Sequence, residues 1–105
     1  MRFCFTFRPR FSSAVKAAFL DRDGVINVDY AYVHSRENFH FIPGALEGAA
    51  ELVRKGHQLI IVTNQSGIGR GKYSIDQFRE LTFWLAGVFA RNHAPLSAVY
   101  FCPHH

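Results

Sequence analysis

The chain has 105 residues, 49% of them hydrophobic and 19% charged, a balance that fits one soluble globular domain and excludes disorder. A formal charge of +4 is modest and spread out, so it argues weakly for nucleic acid and suits a small anionic ligand equally well. No apolar run approaches the 18 residues of a membrane span.

Residues 1–13 are rich in Arg and aromatics and free of acids, a composition that transit peptides share. They lack an apolar core and a small-residue cleavage site, which argues against secretion. This stretch reads as a disordered N-terminal arm, with 14–105 as the folded portion. Cys4 and Cys102 lie near opposite ends and form no disulfide framework, so a reducing cytoplasm is the expected setting.

The first predicted strand runs from about Val15 to Leu20 and delivers Asp21-Arg22-Asp23-Gly24. Carboxylates two apart on an extended chain share a side. The carboxyl edge of a parallel sheet is where ligands usually bind. Two acids there can divide phosphoryl chemistry, one attacking phosphorus or holding a metal and the other moving a proton. On its own, however, the quartet reads better as an ordinary Asx-rich turn.

A long loop through Phe41 leads to a helix over about Ala45–Lys55, with Ala45, Ala49, Leu52 and Val53 on one face. Pro43-Gly44 opens that helix and Gly56 closes it. Gln58 to Val62 is a continuous apolar run of the kind found in buried parallel strands.

Thr63 to Tyr73 reads as a Gly-rich loop emerging at the same sheet edge as Asp21. The Thr63 hydroxyl and backbone N–H groups near Asn64 are suitable phosphate donors, and Gly67, Gly69 and Gly71 permit close backbone approach. Nucleotide signatures fail here. The Gly67–Gly71 spacing is wrong for a P-loop, Tyr73 stands where that motif needs Ser or Thr, and Lys72 replaces a fingerprint glycine.

A second helix starts at Ser74-Ile75-Asp76-Gln77, which has capping-box spacing, and runs to about Asn92. A third strand, about Ala98–Phe101, enters Cys102-Pro103-His104. The β-α-β-α-β order implies a parallel sheet with right-handed crossovers. Cys102 and His104 offer zinc two ligands of the four it prefers; the plainer reading is terminal surface. His34, His40, His57 and His93 have no partner at ligand spacing, and Trp84 reads as core.

Phe19 to Asp29, Tyr32-Val33, Thr63 to Gly71 and Cys102-Pro103-His104 together resemble the haloacid dehalogenase (HAD) superfamily of phosphotransferases. Within it they are similar to the bacterial heptose-bisphosphate phosphatases, over about Ala18–His105. Histidinol-phosphate phosphatases share the acid pair and zinc features, but typically carry an acid at the Ser66 position and lack the Asn27-Val28-Asp29 segment.

The resemblance implies a three-layer Rossmann-type α/β fold with a parallel sheet, of which three strands and two helices are present. It implies Asp21 as nucleophile, Asp23 as general acid and base, and Mg²⁺ on the Asp21 carboxylate and the Asp23 backbone carbonyl. Thr63 and Asn64 would hold phosphate. Asp29, Tyr30, Ala31, Tyr32, Gln65 and Ser66 match substrate-contacting positions. Cys102 and His104 match structural zinc ligands. The implied substrate is a small phosphosugar, D-glycero-D-manno-heptose 1,7-bisphosphate, losing its 7-phosphate on the way to lipopolysaccharide core heptose. The implied protein is a cytoplasmic monomer in full-length form, with no nucleic-acid or membrane partner.

Family members continue beyond the His105 position with further zinc cysteines, an Arg-Lys pair and a later metal-binding Asp followed by Lys. The chain is therefore expected to be an N-terminal portion, with an exposed edge on its first strand and negligible turnover alone. A different small phosphomonoester, a non-catalytic remnant and a zinc-bridged dimer are the alternatives.

Overall fold

The computed structural model describes residues 3–7 and 16–104. Strands β1 (Cys4–Thr6), β2 (Lys16–Leu20), β3 (His57–Asn64) and β4 (Leu96–Cys102) form one sheet in the order β1-β4-β3-β2. β2–β3 and β3–β4 are parallel, whereas β1 runs antiparallel to β4 with Phe5 opposite Val99. The helices are α1 (Ala45–Arg54), a single turn α2 (Ser66–Gly69) and α3 (Ile75–Arg91), with a 3₁₀ turn at Arg36–Asn38.

Three of these differ from the expectation. The sheet is mixed and four-stranded, because Cys4–Thr6 of the presumed arm adds a strand; residues 8–13 lie outside the described part, as does Val15. What pins β1 is aromatic packing that no local pattern announces. Phe5 stacks on Phe101 at 5.4 Å and on Phe78 at 6.1 Å, and Phe3 meets Phe101 edge-on at 5.6 Å. β3 begins one residue earlier and ends two residues later than expected, and Ser66–Gly69 is helical where the sequence predicts a loop.

The third difference concerns layers. β2, β3 and β4 step across the sheet in one direction, so right-handed crossovers put α1 and α3 on the same face. One core joins Ala49 of α1 and Phe78, Leu81, Leu85 and Phe89 of α3 to Leu59, Ile61, Val99 and Phe101 of the sheet. Fully burying a side chain such as Phe78 or Leu85 contributes about 1.5–3 kcal/mol. The described residues thus make two layers of the three.

Local chemistry explains where the helices begin and stop. At α3 the Ser74 hydroxyl accepts from the Gln77 N–H at 3.1 Å, and the Gln77 side chain accepts from the Ser74 N–H at 2.8 Å. This is the expected capping box, worth about 1 kcal/mol. Asp76 in the first turn and Arg91 in the last suit the helix dipole. His93, in the left-handed region at φ 61°, ends α3 and turns the chain into β4. Gly56, at φ 92°, does the same after α1.

Candidate active site

The carboxyl ends of β2 and β3 supply the chemistry-bearing residues. β2 stops at Leu20, so Asp21 and Asp23 lie in the bend beyond the strand rather than on it. They still face one cavity of about 390 Å³. The Arg22 carbonyl accepts the N–H groups of Val25, Ile26 and Asn27, and this turn swings Asp23 back towards Asp21.

The two acids are held very differently. Asp21 is exposed, and among the described residues one oxygen accepts the Arg22 N–H at 2.9 Å while the other meets no protein donor. Asp23 is held by three donors. Its Oδ1 accepts from Arg22 Nη2 at 2.8 Å and Asn27 Nδ2 at 2.9 Å, and its Oδ2 accepts from Gln65 Nε2 at 3.1 Å. Asp23 is therefore fixed in orientation, with Oδ2 as the oxygen that still has capacity towards the cavity.

Arg22, Asn27 and Tyr73 are functional neighbours that sequence reading did not single out. Arg22 is only 2% exposed; its Nη2 also bonds the Val33 carbonyl at 2.8 Å, and the guanidinium lies over the Phe39 and Phe78 rings. Its place between two acids is the one signal that could have marked it. Asn27 is fully buried.

Tyr73 is buried, and its hydroxyl donates to Gln65 Oε1. Burial pushes that phenol up to about 12, partly offset by the Arg22 charge and reinforced by Asp23 and Tyr32. It stays protonated, and so keeps donating, across the whole neutral range. Because Tyr73 occupies the Gln65 oxygen, the amide nitrogen is left to serve Asp23 and, at 2.9 Å, the Thr63 hydroxyl oxygen.

The remaining expected residues divide. Asp29, Ala31, Tyr32, Asn64, Gln65 and Ser66 line the same cavity as the acids. Tyr30 does not; it is exposed with its ring edge on His40. Thr63 is buried and faces a second recess on the far side of Asp21, which Asn64 borders as well. The wall at Tyr32 is built by an unusual backbone. Ala31 and Tyr32 both sit in the left-handed region at φ 60° and 58°, with the Ala31 N–H bonded to Asp29 Oδ1 at 3.0 Å.

Tyr32 and Tyr73 close over Gly67. A Cβ there would come within 2.8 Å of the Tyr32 ring and nearer still to Tyr73. Gly67 thus serves ring packing rather than the anion approach expected of it. His34 stacks on Tyr73 at 4.9 Å, and Trp84, only partly buried, packs with Phe39 and Phe41 against the core.

The donor set suits a hard cation. An exposed carboxylate with one oxygen open, beside a second acid and with phosphate oxygens to complete the shell, is how Mg²⁺ is usually held. For zinc the residues present do not suffice. Among the described residues no three His, Cys, Asp or Glu side chains converge, and Cys4, on β1 opposite Tyr100, does not complete the Cys102–His104 pair. Both cysteines are free, and the His104 ring packs on Phe3 instead.

An incomplete α/β sheet with an acid pair at its carboxyl edge is the arrangement of HAD-like phosphatases. A solved HAD-like phosphatase from Mesorhizobium loti superposes with a TM-score of 0.86 at 31% identity, over 97% of this chain and 49% of that one. D,D-heptose 1,7-bisphosphate phosphatase from B. bronchiseptica, solved with magnesium and phosphate, gives 0.81 at 32% identity, over 87% and 51%.

In sequence the chain is 51% identical over 90 residues to the D-glycero-β-D-manno-heptose-1,7-bisphosphate 7-phosphatase of Haemophilus influenzae, covering 86% of this chain and 49% of that protein. The Vibrio cholerae relative of the same name is 53% identical over 92 residues, covering 88% and 50%. No protein-family model matches the chain. The chain is similar to these heptose-bisphosphate phosphatases and spans about half the length of the curated relatives it matches.

Proposed function

We propose that this chain carries the nucleophile and the acid/base of a sugar-phosphate phosphatase that removes the 7-phosphate of D-glycero-D-manno-heptose 1,7-bisphosphate. The observation that supports it best is the pairing of an exposed Asp21, held by a single backbone N–H among the described residues, with a three-point-held Asp23 on one cavity. The similarity at about half identity to relatives named for heptose 1,7-bisphosphate supports that substrate class.

In the reaction, an Asp21 oxygen attacks phosphorus as the bond to the sugar oxygen breaks, and Asp23 gives that oxygen its proton. The products of this half are the sugar alcohol and an aspartyl-phosphate. Water then gives a proton to Asp23 and attacks phosphorus, which frees inorganic phosphate and restores Asp21. With Oδ1 occupied by Arg22 and Asn27, the proton leaves and returns at Oδ2. Bound Mg²⁺, on the Asp21 carboxylate and the Asp23 carbonyl, would offset charge on the transferring group. Asn64 and Ser66 offer donors to phosphate, with Thr63 behind them, and Asp29, Ala31 and Tyr32 face the sugar.

The setting we infer is the cytoplasm, with two free thiols and no described helix long and apolar enough to cross a membrane. Zinc at Cys102 and His104 needs ligands from outside the described residues.

A chimera decides the substrate. Residues 16–105 replace the matched half of the H. influenzae relative, and phosphate release is measured with Mg²⁺. Heptose 1,7-bisphosphate should be preferred over histidinol phosphate, and Asp21→Asn should lower the rate by at least about 10³-fold. Preference for histidinol phosphate, or release indifferent to Asp21→Asn, would refute the reading.

A further inference from the structure

A glutamine amide carries a donor and an acceptor that trade places when it turns over, so its neighbours decide which faces which way. Gln65 follows β3 and is buried, so protein groups must settle its amide. The nitrogen faces two oxygens, Asp23 Oδ2 at 3.1 Å and the Thr63 hydroxyl at 2.9 Å. The amide oxygen faces the Tyr73 hydroxyl.

These neighbours do not enforce the orientation equally. The Thr63 hydroxyl donates or accepts with equal ease, so either end of the amide satisfies it. Asp23 as a carboxylate only accepts, and it demands the nitrogen. Asp23 as a carboxylic acid makes no such demand. Its Oδ1 already takes Arg22 Nη2 and Asn27 Nδ2, so the acid proton sits on Oδ2. A turned-over amide would offer its oxygen to that proton, in competition with the sugar oxygen that needs it.

Tyr73 is the neighbour that discriminates. Among the described residues its hydroxyl meets only Gln65 Oε1. Turning the amide over would set the nitrogen against the phenol and leave the buried phenolic proton without an acceptor, a state that is costly. The ring packs against Gly67, and the His34 ring stacks on it at 4.9 Å, so packing aims the hydroxyl independently of Gln65.

We propose that Tyr73 is a positioning residue for the first half of the reaction. Through Gln65 it keeps the amide oxygen away from Asp23, and so directs the Asp23 proton to the leaving oxygen. That proton moves from Oδ2 to the sugar oxygen as the phosphorus–oxygen bond breaks, and the carboxylate left behind accepts the Gln65 N–H unchanged. In the second half Asp23 starts as a carboxylate and selects the amide nitrogen by itself, so Tyr73 is dispensable there. The inference rests on Asp23 as general acid, not on the choice of sugar.

The test compares two leaving groups in the chimera. One is an alkoxide, from whichever of heptose 1,7-bisphosphate and histidinol phosphate is the better substrate. The other is 4-nitrophenolate, from its phosphate ester, which leaves without a proton. Values of kcat/KM report transfer to Asp21, before the hydrolysis that both substrates share. Tyr73→Phe should lower kcat/KM about tenfold for the alkoxide and by less than about twofold for the nitrophenolate, part of the roughly 10²–10⁴ that a general acid supplies. In a Gln65→Met background, with no amide oxygen to compete, Tyr73→Phe should cost nothing further. Asp23→Asn is the reference, expected to slow the alkoxide at least about 10²-fold more than the nitrophenolate.

If Asp23→Asn slows both substrates equally, Asp23 is not the acid, and this proposal falls together with the functional reading. If Asp23→Asn separates the substrates and Tyr73→Phe does not, the proposal alone is overturned. It is equally overturned if Tyr73→Phe costs as much in the Gln65→Met background as in the parent, since the loss would then not pass through the amide.

Discussion

Asp21 and Asp23 are two residues apart, yet their surroundings are opposites. Around Asp23 the chain supplies everything: a buried guanidinium, a buried amide, and a glutamine whose orientation is set by a buried phenol. Around Asp21 the described residues supply one backbone N–H and an open apolar recess. The half of the reaction that needs a proton at a fixed place is built within these residues. The half that needs phosphorus presented to a nucleophile is left open to solvent. The difference teaches that positioning the base is local, whereas completing the nucleophile's wall is not.

The sharpest way to break the built side is at Arg22. Arg22→Met removes the cation but leaves Asp23 largely enclosed, at 24% side-chain exposure, and should lower stability by about 3 kcal/mol, read from urea unfolding. A loss below about 1 kcal/mol would mean that the cation is not what holds Asp23. Gly67→Ala comes next. Its methyl group meets both tyrosine rings, and overpacking of this kind costs roughly 1–3 kcal/mol. Loss of the Tyr73–His34 stack should accompany it as altered near-ultraviolet dichroism.

Tyr73→Phe has the smallest expected effect, about 1 kcal/mol for one hydrogen bond, but a distinct pH signature. The phenol is raised from 10.0 to about 12 in the folded chain. Its stabilisation is therefore fully present below pH 10 and is lost as pH rises towards 12, because the unfolded chain ionises first. The variant should lack that part of the alkaline decline, as a difference between unfolding curves at pH 9 and 11.5. Identical declines would show that the hydroxyl is not held in this network.

Much of this was legible in the sequence where causes are local. Ser74 and Gln77 announced their helix start and the apolar run before Thr63 announced a buried strand, whereas the spacing of Asp21 and Asp23 favours a plain turn until the Thr63–Ser66 segment at the same sheet edge is set beside it. What was hidden depends on partners distant in the chain. Cys4–Thr6 carries no strand pattern, and its place comes from Phe5 meeting Phe78 and Phe101. Gln65 joins Asp23 across 42 positions, so Tyr73 could not be connected to the acid from spacing. Thr63 and Asn64 are neighbours, yet strand alternation turns Thr63 inward and leaves Asn64 exposed.

β1 has a consequence for how this protein can go wrong. By lying along β4 it replaces a seven-residue border with one only three residues long, a short and poor template for further pairing. Growth of the sheet is thereby one-sided. Two molecules that meet at β2 use up the good border on each and stop as a finite pair. An endless fibre needs a second usable border on every molecule, and Cys4–Thr6 takes it away.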